Sequence, residues 1–266
     1  MDTRTKRADV AFTVVENRRL HPRFVRLVLQ AEAVLQAAEA GQFVQVRVPS
    51  SLHSWLRVPI SLHEIDAAHG RIALLVQEVG EGSRWLAARA AGDRLDVLYP
   101  LGTGFRRPAS PAASLLLVGG GCGLAPLYGL LKQLKRNETP HTGRIAFLTG
   151  ARTAADLLMQ DEIAALGAET CACTEDGSFG EKGLVTVHPV LQACAFDQVY
   201  TCGPTPMMKA VAAAAQAKRV PCQVSLENKM ACGIGACLCC VTPDKDNHHR
   251  CVCTEGPVFD ADTLGW

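Results

Sequence analysis

The sequence predicts a multidomain β plus α/β chain: an antiparallel β-barrel or sandwich, a parallel-sheet α/β domain and a small cysteine-rich C-terminal domain. Three observations predict it. Short β-type runs fill Val10–Tyr99, strand-like and helix-like segments alternate from Ser114, and six of the 12 cysteines fall within Cys232–Cys253. With 266 residues, 48% of them apolar and 20% charged, the chain has enough apolar material for more than one core.

The β runs are Phe24–Leu29, Phe43–Val48, Arg71–Gln77 and Arg94–Tyr99, punctuated at Ala40–Gly41, Pro49–Ser50 and Gly92–Asp93. Short strands separated by turn residues are the mark of antiparallel all-β architecture. Arg57-Val58-Pro59-Ile60-Ser61 ends a β-like stretch. Its Arg and Ser can both serve a phosphate, one by charge and one by hydroxyl. Val79-Gly80-Glu81-Gly82-Ser83 then precedes a helical run, Arg84–Ala90. A helix start carrying Ser and Gly attracts anions. Surface Arg and turn Gly are also common without any ligand. Together, in a β domain next to an α/β domain, they suggest a flavin diphosphate.

Pro100–Ala112, with three prolines and two glycines, reads as a linker. Beyond it the apolar runs Leu115–Val118, Ile145–Leu148 and Gln198–Cys202 alternate with the helical patterns Leu127–Leu134, Thr153–Leu166 and Met207–Lys218. That alternation argues a parallel sheet. Gly119, Gly120, Gly121 and Gly123 follow the first strand and open a helix. Glycines there let backbone approach a pyrophosphate, which helix N–H groups attract. The spacing is not that of a dehydrogenase dinucleotide fingerprint. Thr201-Cys202-Gly203-Pro204 ends a later strand, at the carboxyl edge where ligands of parallel sheets bind. Taken alone, Cys202 reads as a small buried hydrophobe.

In the C-terminal segment Cys232, Cys237 and Cys240 give C-x(4)-C-x(2)-C, followed by Cys251-Val-Cys253. This is the plant-type [2Fe–2S] spacing. Four thiolates must converge on two irons, so the chain must turn tightly, and Gly233 and Gly235 suit that. Cys239 lies between ligands and points the other way, while Cys251 and Cys253 compete for the fourth position. A zinc ribbon would want two C-x(2)-C knuckles, and the second pair here is C-x-C. His248 and His249 lack the C-x-H spacing of a Rieske centre, so Lys245–His249 reads as an exposed hairpin tip. The other cysteines, Cys122, Cys171, Cys173, Cys194, Cys202 and Cys222, are scattered.

A formal net charge of +1 leaves no electrostatic footprint for nucleic acid or an anionic membrane. The apolar runs are too short to span a bilayer, and Met1–Val10 is polar with no apolar signal core. A cytoplasmic location is the default expectation.

These pieces together resemble the ferredoxin-reductase superfamily, and most closely the electron-transfer subunit of class 1B dihydroorotate dehydrogenase. The most specific stretch is Pro221–Cys237, and Cys253-Thr-Glu-Gly-Pro-Val-Phe259 is similar too. Tyr200–Met208 and Thr174–Gly183 resemble the nicotinamide domain of that family. The resemblance implies an FAD-binding β-barrel over 1–105, an NAD(H)-binding α/β domain over 106–222 and a [2Fe–2S] domain over 223–266. In the family the fourth ligand stands three residues before the Gly-Pro, which favours Cys253 and gives Cys232, Cys237, Cys240 and Cys253 as the ligand set. The flavin motif maps onto Val58, Pro59, Ile60 and Ser61, with further contacts at Leu75, Val76, Gln77, Gly82 and Ser83. The family has Arg where this chain has Val58, and Arg57 is the expected substitute at the phosphate. Cys202, Gly203 and Pro204 fall beside the nicotinamide, with Cys202 the candidate catalytic residue.

The resemblance implies a relay: hydride exchange between NAD(H) and FAD, then single electrons through the cluster. The implied partner is an FMN-containing catalytic subunit that oxidises dihydroorotate to orotate in pyrimidine biosynthesis, two copies of each in a heterotetramer. The same relay could serve a sulfhydrogenase-like or electron-bifurcating complex, or the chain could be a stand-alone NADH diaphorase. A cysteine-rich metal-binding protein without enzymatic activity leaves the flavin signals unexplained. Thr149–Asp156 offers one Arg, Arg152, and one acid, Asp156, which favours NAD(H) over NADP(H). No acid–base pair stands out in the sequence.

Overall fold

Apolar–polar alternation along the first hundred residues closes a sheet on itself. A computed structural model of the chain describes residues 8–49, 56–136 and 139–266. Ser50 of the expected Pro49–Ser50 turn and the first seven residues of the polar N-terminal stretch lie outside these. The strands β1 (Ala8–His21), β2 (Phe24–Ala31), β3 (Phe43–Val46), β4 (Val58–Asp66), β5 (Arg71–Gln77) and β6 (Arg94–Leu101) form a closed antiparallel barrel in the order β1-β2-β5-β4-β3-β6. Closure decides between barrel and sandwich, and it leaves no open edge. Phe12, Leu27, Val44, Val46, Leu62 and Leu74 fill the interior. The two-residue period of a strand sends alternate side chains outward. Phe43 accordingly packs into the neighbouring α/β core.

The strand that carries Val58–Ser61 begins there, whereas the sequence placed the end of a β stretch at Arg57–Ser61. β4 pairs with β3 at Val58–Ser61 but with β5 only from Leu62 onward. The two strands therefore part at Pro59, whose missing N–H faces no second ladder. That gap becomes a wall of the site described below. The short helix α1 (Glu81–Ala87) follows β5 and starts before the expected Arg84–Ala90. Ser83 Oγ accepts from the N–H groups of Val79 and Gly80, both at 2.9 Å, and draws the helix start back to Glu81.

Beyond the linker come β7 (Leu115–Gly120), α2 (Leu124–Arg136), β8 (Ile145–Ala151), α3 (Gln160–Ala165), β9 (Glu169–Thr174), β10 (Glu181–Lys182), α4 (Pro189–Ala193), β11 (Gln198–Cys202), α5 (Thr205–Ala217) and β12 (Cys222–Ser225). The hairpin β13 (Val241–Pro243) and β14 (His249–Cys251) follows, then β15 (Val258–Asp260). The second sheet runs β10-β9-β8-β7-β11-β12-β15, parallel except for β15, which adds antiparallel to β12. The cysteine-rich segment is thus looped out between two adjacent strands of this sheet and cannot drift from it. The helix expected over Thr153–Leu166 is α-helical only over Gln160–Ala165. Thr153 Oγ1 bonds Asp156 at 3.0 Å, and Met159 adopts a left-handed φ of 58°. Local side-chain bonding and that backbone reversal replace the first two turns. No helix among the described residues is long and apolar enough to cross a membrane.

Helix α2 clamps the sheet to the barrel. Glu64 of β4 bonds Arg26 of β2 at 2.9 Å and pairs with Lys132 of α2. His63 is 1% exposed and stacks on Tyr128 of α2, ring centroids 4.7 Å apart. Burial lowers the His63 imidazole to about 4, outweighing the nearby Glu64 carboxylate. Between that value and the unfolded value of about 6.5, the unfolded chain binds a proton that the fold refuses, so stability should rise with pH across this window. From pH 7 down to pH 4 the loss attributable to His63 should be roughly 3 kcal/mol. Thermal unfolding as a function of pH checks it. His63→Phe, which keeps the stacked ring, should flatten the slope, and an unchanged slope would place the titration elsewhere.

Candidate functional site

The parting of β4 from β5 opens a cavity of about 310 Å³ where the barrel meets the second sheet. Val58, Pro59, Ile60 and Ser61 line it from β4, Leu75 and Gln77 from β5, and Ser83 from α1. Seven of the residues expected at a flavin thus share one wall. Strand alternation explains the exception in the middle: Val76 is fully buried in the barrel interior. Gly82 backs the wall, because a Cβ there would lie 2.8 Å from Cγ2 of Val58. Arg57 does not line the cavity. Its guanidinium bonds Asp9 Oδ2 at 2.8 Å and donates to the carbonyls of Gln45 and Asp96.

The opposite wall comes from the sheet. β7 is flanked by β8 on one side and β11 on the other, so consecutive connections leave in opposite directions at its end. Such a switch point is where open α/β sheets bind ligands. Gly119 pairs in register with Cys202, bringing the two sequence motifs together. The approach is close: a Cβ on Gly123 would sit 2.2 Å from the carbonyl oxygen of Cys202. Gly121 has φ 59°, a left-handed turn that glycine takes without strain. Gly120 and Gly203 meet Met207 at the start of α5, with Pro204 beside Gly120.

Three groups that the sequence did not join meet at the cavity. Cys122 Sγ lies 3.4 Å from Glu227 Oε1, and Cys202 Sγ lies 3.6 Å from the same oxygen. Cys122 and Glu227 line the cavity, and Cys202 is fully buried behind them. Burial, then the neighbouring Glu227 carboxyl, pushes the Cys122 thiol up to about 12 and Cys202 well above its ordinary value. Both surroundings therefore disfavour the thiolate, the form a nucleophile would need. Burial also raises the Glu227 carboxyl, against the pull of the two thiols. A carboxyl so placed takes up or releases a proton nearer neutrality than a solvated one. Glu227 lies in the Pro221–Cys237 stretch already singled out, but nothing in its spacing marks it as an acid.

Leu226, Asn228 and Met230 complete the cavity and lead straight into the cysteine loop. There the backbone is bent around sulfur. The N–H groups of Ile234, Ala236 and Cys237 point at Cys232 Sγ from 3.3–3.4 Å. Gly235 N–H donates to Cys253 Sγ at 3.2 Å, and Cys253 N–H to Cys240 Sγ at 3.4 Å. Gly233 (φ 69°), Gly235 (φ 84°) and Leu238 (φ 56°) hold left-handed conformations that make these turns. Burial pushes the Cys232 thiol up, but the converging N–H groups and Cys237 outweigh it and bring it down to about 6. Cys232 is within hydrogen-bond reach of Cys237, and Cys240 of Cys253. Two thiol pairs ringed by N–H donors suit two irons with two thiolates each. Cys239 turns away, its Sγ 3.8 Å from the Lys229 carbonyl. Cys251 is held in the β13–β14 hairpin, whose tip, Lys245–His249, is exposed as expected.

Comparison with known proteins agrees with this geometry. Residues 227–265 match the family model "Iron-sulfur cluster binding domain of dihydroorotate dehydrogenase B", and residues 117–213 match "Oxidoreductase NAD-binding domain". The "Dihydroorotate dehydrogenase B (NAD(+)), electron transfer subunit" of Geobacillus thermodenitrificans is 40% identical over 252 residues, 94% of this chain and 95% of that one. That of Bacillus velezensis is 38% identical over 255 residues, 95% and 97% of the two chains. Among solved structures, the NADH-dependent reduced ferredoxin–NADP oxidoreductase described for flavin-based electron bifurcation aligns with TM-score 0.83 at 29% identity, covering 96% of this chain and 90% of that one. A ferredoxin reductase of carbazole 1,9a-dioxygenase shares the fold, with TM-score 0.68 at 22% identity over 82% of this chain and 68% of that one. Identity of this depth over nearly the whole length, with the cluster loop and nicotinamide sheet in place, makes the chain a member of the family of dihydroorotate dehydrogenase B electron transfer subunits.

Proposed function

We propose that the chain passes electrons between NAD(H) and an FMN-containing catalytic subunit that oxidises dihydroorotate to orotate, as two copies of each subunit in the cytoplasm. FAD fits the cavity, and one [2Fe–2S] cluster fits Cys232, Cys237, Cys240 and Cys253. The working units are 1–105, 106–222 and 223–266. The observation that carries this reading is that one cavity is bounded by all three: the parted β4, the glycine turn at Cys122 and the segment entering the cluster loop. Bound there, FAD would supply hydride exchange with NAD(H) and single-electron exchange with the cluster.

The chain supplies positions and protons. Backbone of Val58–Ser61 is free of β5 and offers its polar groups to the cavity. Gly203 and Pro204, at the carboxyl edge of the sheet beside Gly120, are where a nicotinamide would lie. Phe43, Leu226 and Met230 exclude water on the cluster side. A hydride is two electrons and one proton, so two electrons leaving singly leave a proton behind. Glu227, with its raised carboxyl, is placed to receive that proton and to return it when electrons flow the other way. Ile234 and Leu238 are 46% and 61% exposed beside the cluster ligands and present an apolar face to a partner.

A second reading keeps the relay and changes the partner. It is favoured by the 29% identity over 96% of this chain to the bifurcating oxidoreductase structure. Reconstitution with the FMN subunit separates the two. The first reading predicts dihydroorotate-dependent reduction of NAD⁺ by the pair. Association without electron transfer from dihydroorotate, together with NAD⁺ reduction by another donor, would overturn it.

A further inference from the structure

β3 is the wall between the cavity and the cluster loop. Phe43 lines the cavity and also packs in the same core as Cys240 and Cys253. Two residues on, and so on the same outward face, stands Gln45. Its side chain is driven against the cluster loop: a Cβ on Gly233 would lie 2.7 Å from both Cδ and Nε2 of Gln45. Gln45 is 1% exposed, and its Nε2 has no hydrogen-bond partner among the described residues. A buried amide donor without an acceptor is costly. This one reaches from a barrel strand to the residue that follows ligand Cys232. The backbone donors of this loop, the N–H groups of residues 234–237, already point at cysteine sulfur.

We infer that Gln45 Nε2 donates a hydrogen bond to an inorganic sulfide of the cluster, so that a strand of the flavin barrel sets the reduction potential of a cluster held by another part of the chain. This rests on the [2Fe–2S] reading above. A donor to sulfide stabilises the reduced, more negative cluster more than the oxidised one. Removing it should lower the cluster potential and leave the flavin potential in place. Gly233 is required beside it, because any side chain there would push the amide out of reach.

The test uses the full-length protein with its cofactors. EPR-monitored redox titration of Gln45→Met should show the cluster harder to reduce by about tenfold in equilibrium constant, which for one electron is 59 mV. Gln45→Glu, which exchanges the donor for a carboxylate, should shift it further in the same direction. The second readout needs no variant. Pulsed EPR of reduced wild-type protein, labelled with ¹⁵N in glutamine side chains, should show a ¹⁵N coupling in place of a ¹⁴N coupling of the unlabelled protein. An unchanged cluster potential in Gln45→Met with full iron and sulfide, a shift of the flavin potential instead, or no coupled ¹⁵N in the wild type would overturn the assignment. Should wild-type protein carry no cluster signal at all, the cluster reading itself fails, a distinct outcome.

Discussion

Replacing Cys253 by serine should abolish the EPR signal of the reduced cluster and all electron delivery to a partner subunit, whereas Cys251→Ser should keep both. The two residues are separated only by Val252, yet their surroundings differ. Cys253 is 1% exposed, receives Gly235 N–H on its sulfur and gives its own N–H to Cys240. Cys251 ends β14, pairs with Val241, and its N–H is taken by Glu255 at 2.9 Å. Two-electron oxidation of NADH by a small acceptor should survive in Cys253→Ser, because the flavin cavity does not include Cys253. Thermal stability should fall along with the signal, since the loop between β12 and β15 holds only the short β13–β14 hairpin and metal binding couples to folding. Loss of the signal in Cys251→Ser and its retention in Cys253→Ser would reverse the assignment.

Glu227→Gln should slow electron delivery through the cluster about 100-fold, the lower range for loss of a positioned acid or base. Glutamine keeps the shape but can neither accept nor release a proton at the side chain. Hydride exchange between NADH and the flavin needs no separate proton and should suffer much less. The pH profile gives the second signature. The raised Glu227 carboxyl should appear as a titration above the ordinary carboxylate range in wild-type electron delivery, and should vanish in the glutamine variant. The groups facing it, Cys122 and Cys202, are both displaced upward and do not titrate in that range. Stopped-flow measurement of the two half-reactions across pH separates them. Equal rates and equal profiles in the two proteins would remove Glu227 from proton transfer.

The legible parts of this chain were those written in local pattern. Cysteine spacing marks the cluster loop because all six clustered cysteines lie between β12 and β15, and the same loop geometry turns Cys239 aside. The strand–helix alternation from Ser114 gives the parallel sheet. What stayed hidden depends on contacts between distant segments. β1, with polar residues such as Glu16, Asn17, Arg18 and Arg19, is a strand because β6 pairs with its first part, Ala8–Thr13, and β2 with the rest, Phe12–His21. β15 joins the sheet only through β12, more than thirty residues upstream. Glu227 gains its chemistry from burial against Cys122 and Cys202, and no sequence window contains all three. Arg57 was expected at a phosphate from proximity to Ser61, but Asp9, far away in sequence, pairs with it. Gln45 looks like an ordinary strand residue until the fold sets it against Gly233.

The most direct test of the relay is low-temperature EPR of the purified protein after anaerobic addition of NADH, with the visible spectrum of the same sample. Flavin absorbance should bleach, and the paramagnetic signal of a one-electron-reduced [2Fe–2S] cluster should appear with it. Full bleaching of the flavin with no paramagnetic iron would contradict it, because the cavity and the cluster loop would then share a wall without sharing electrons.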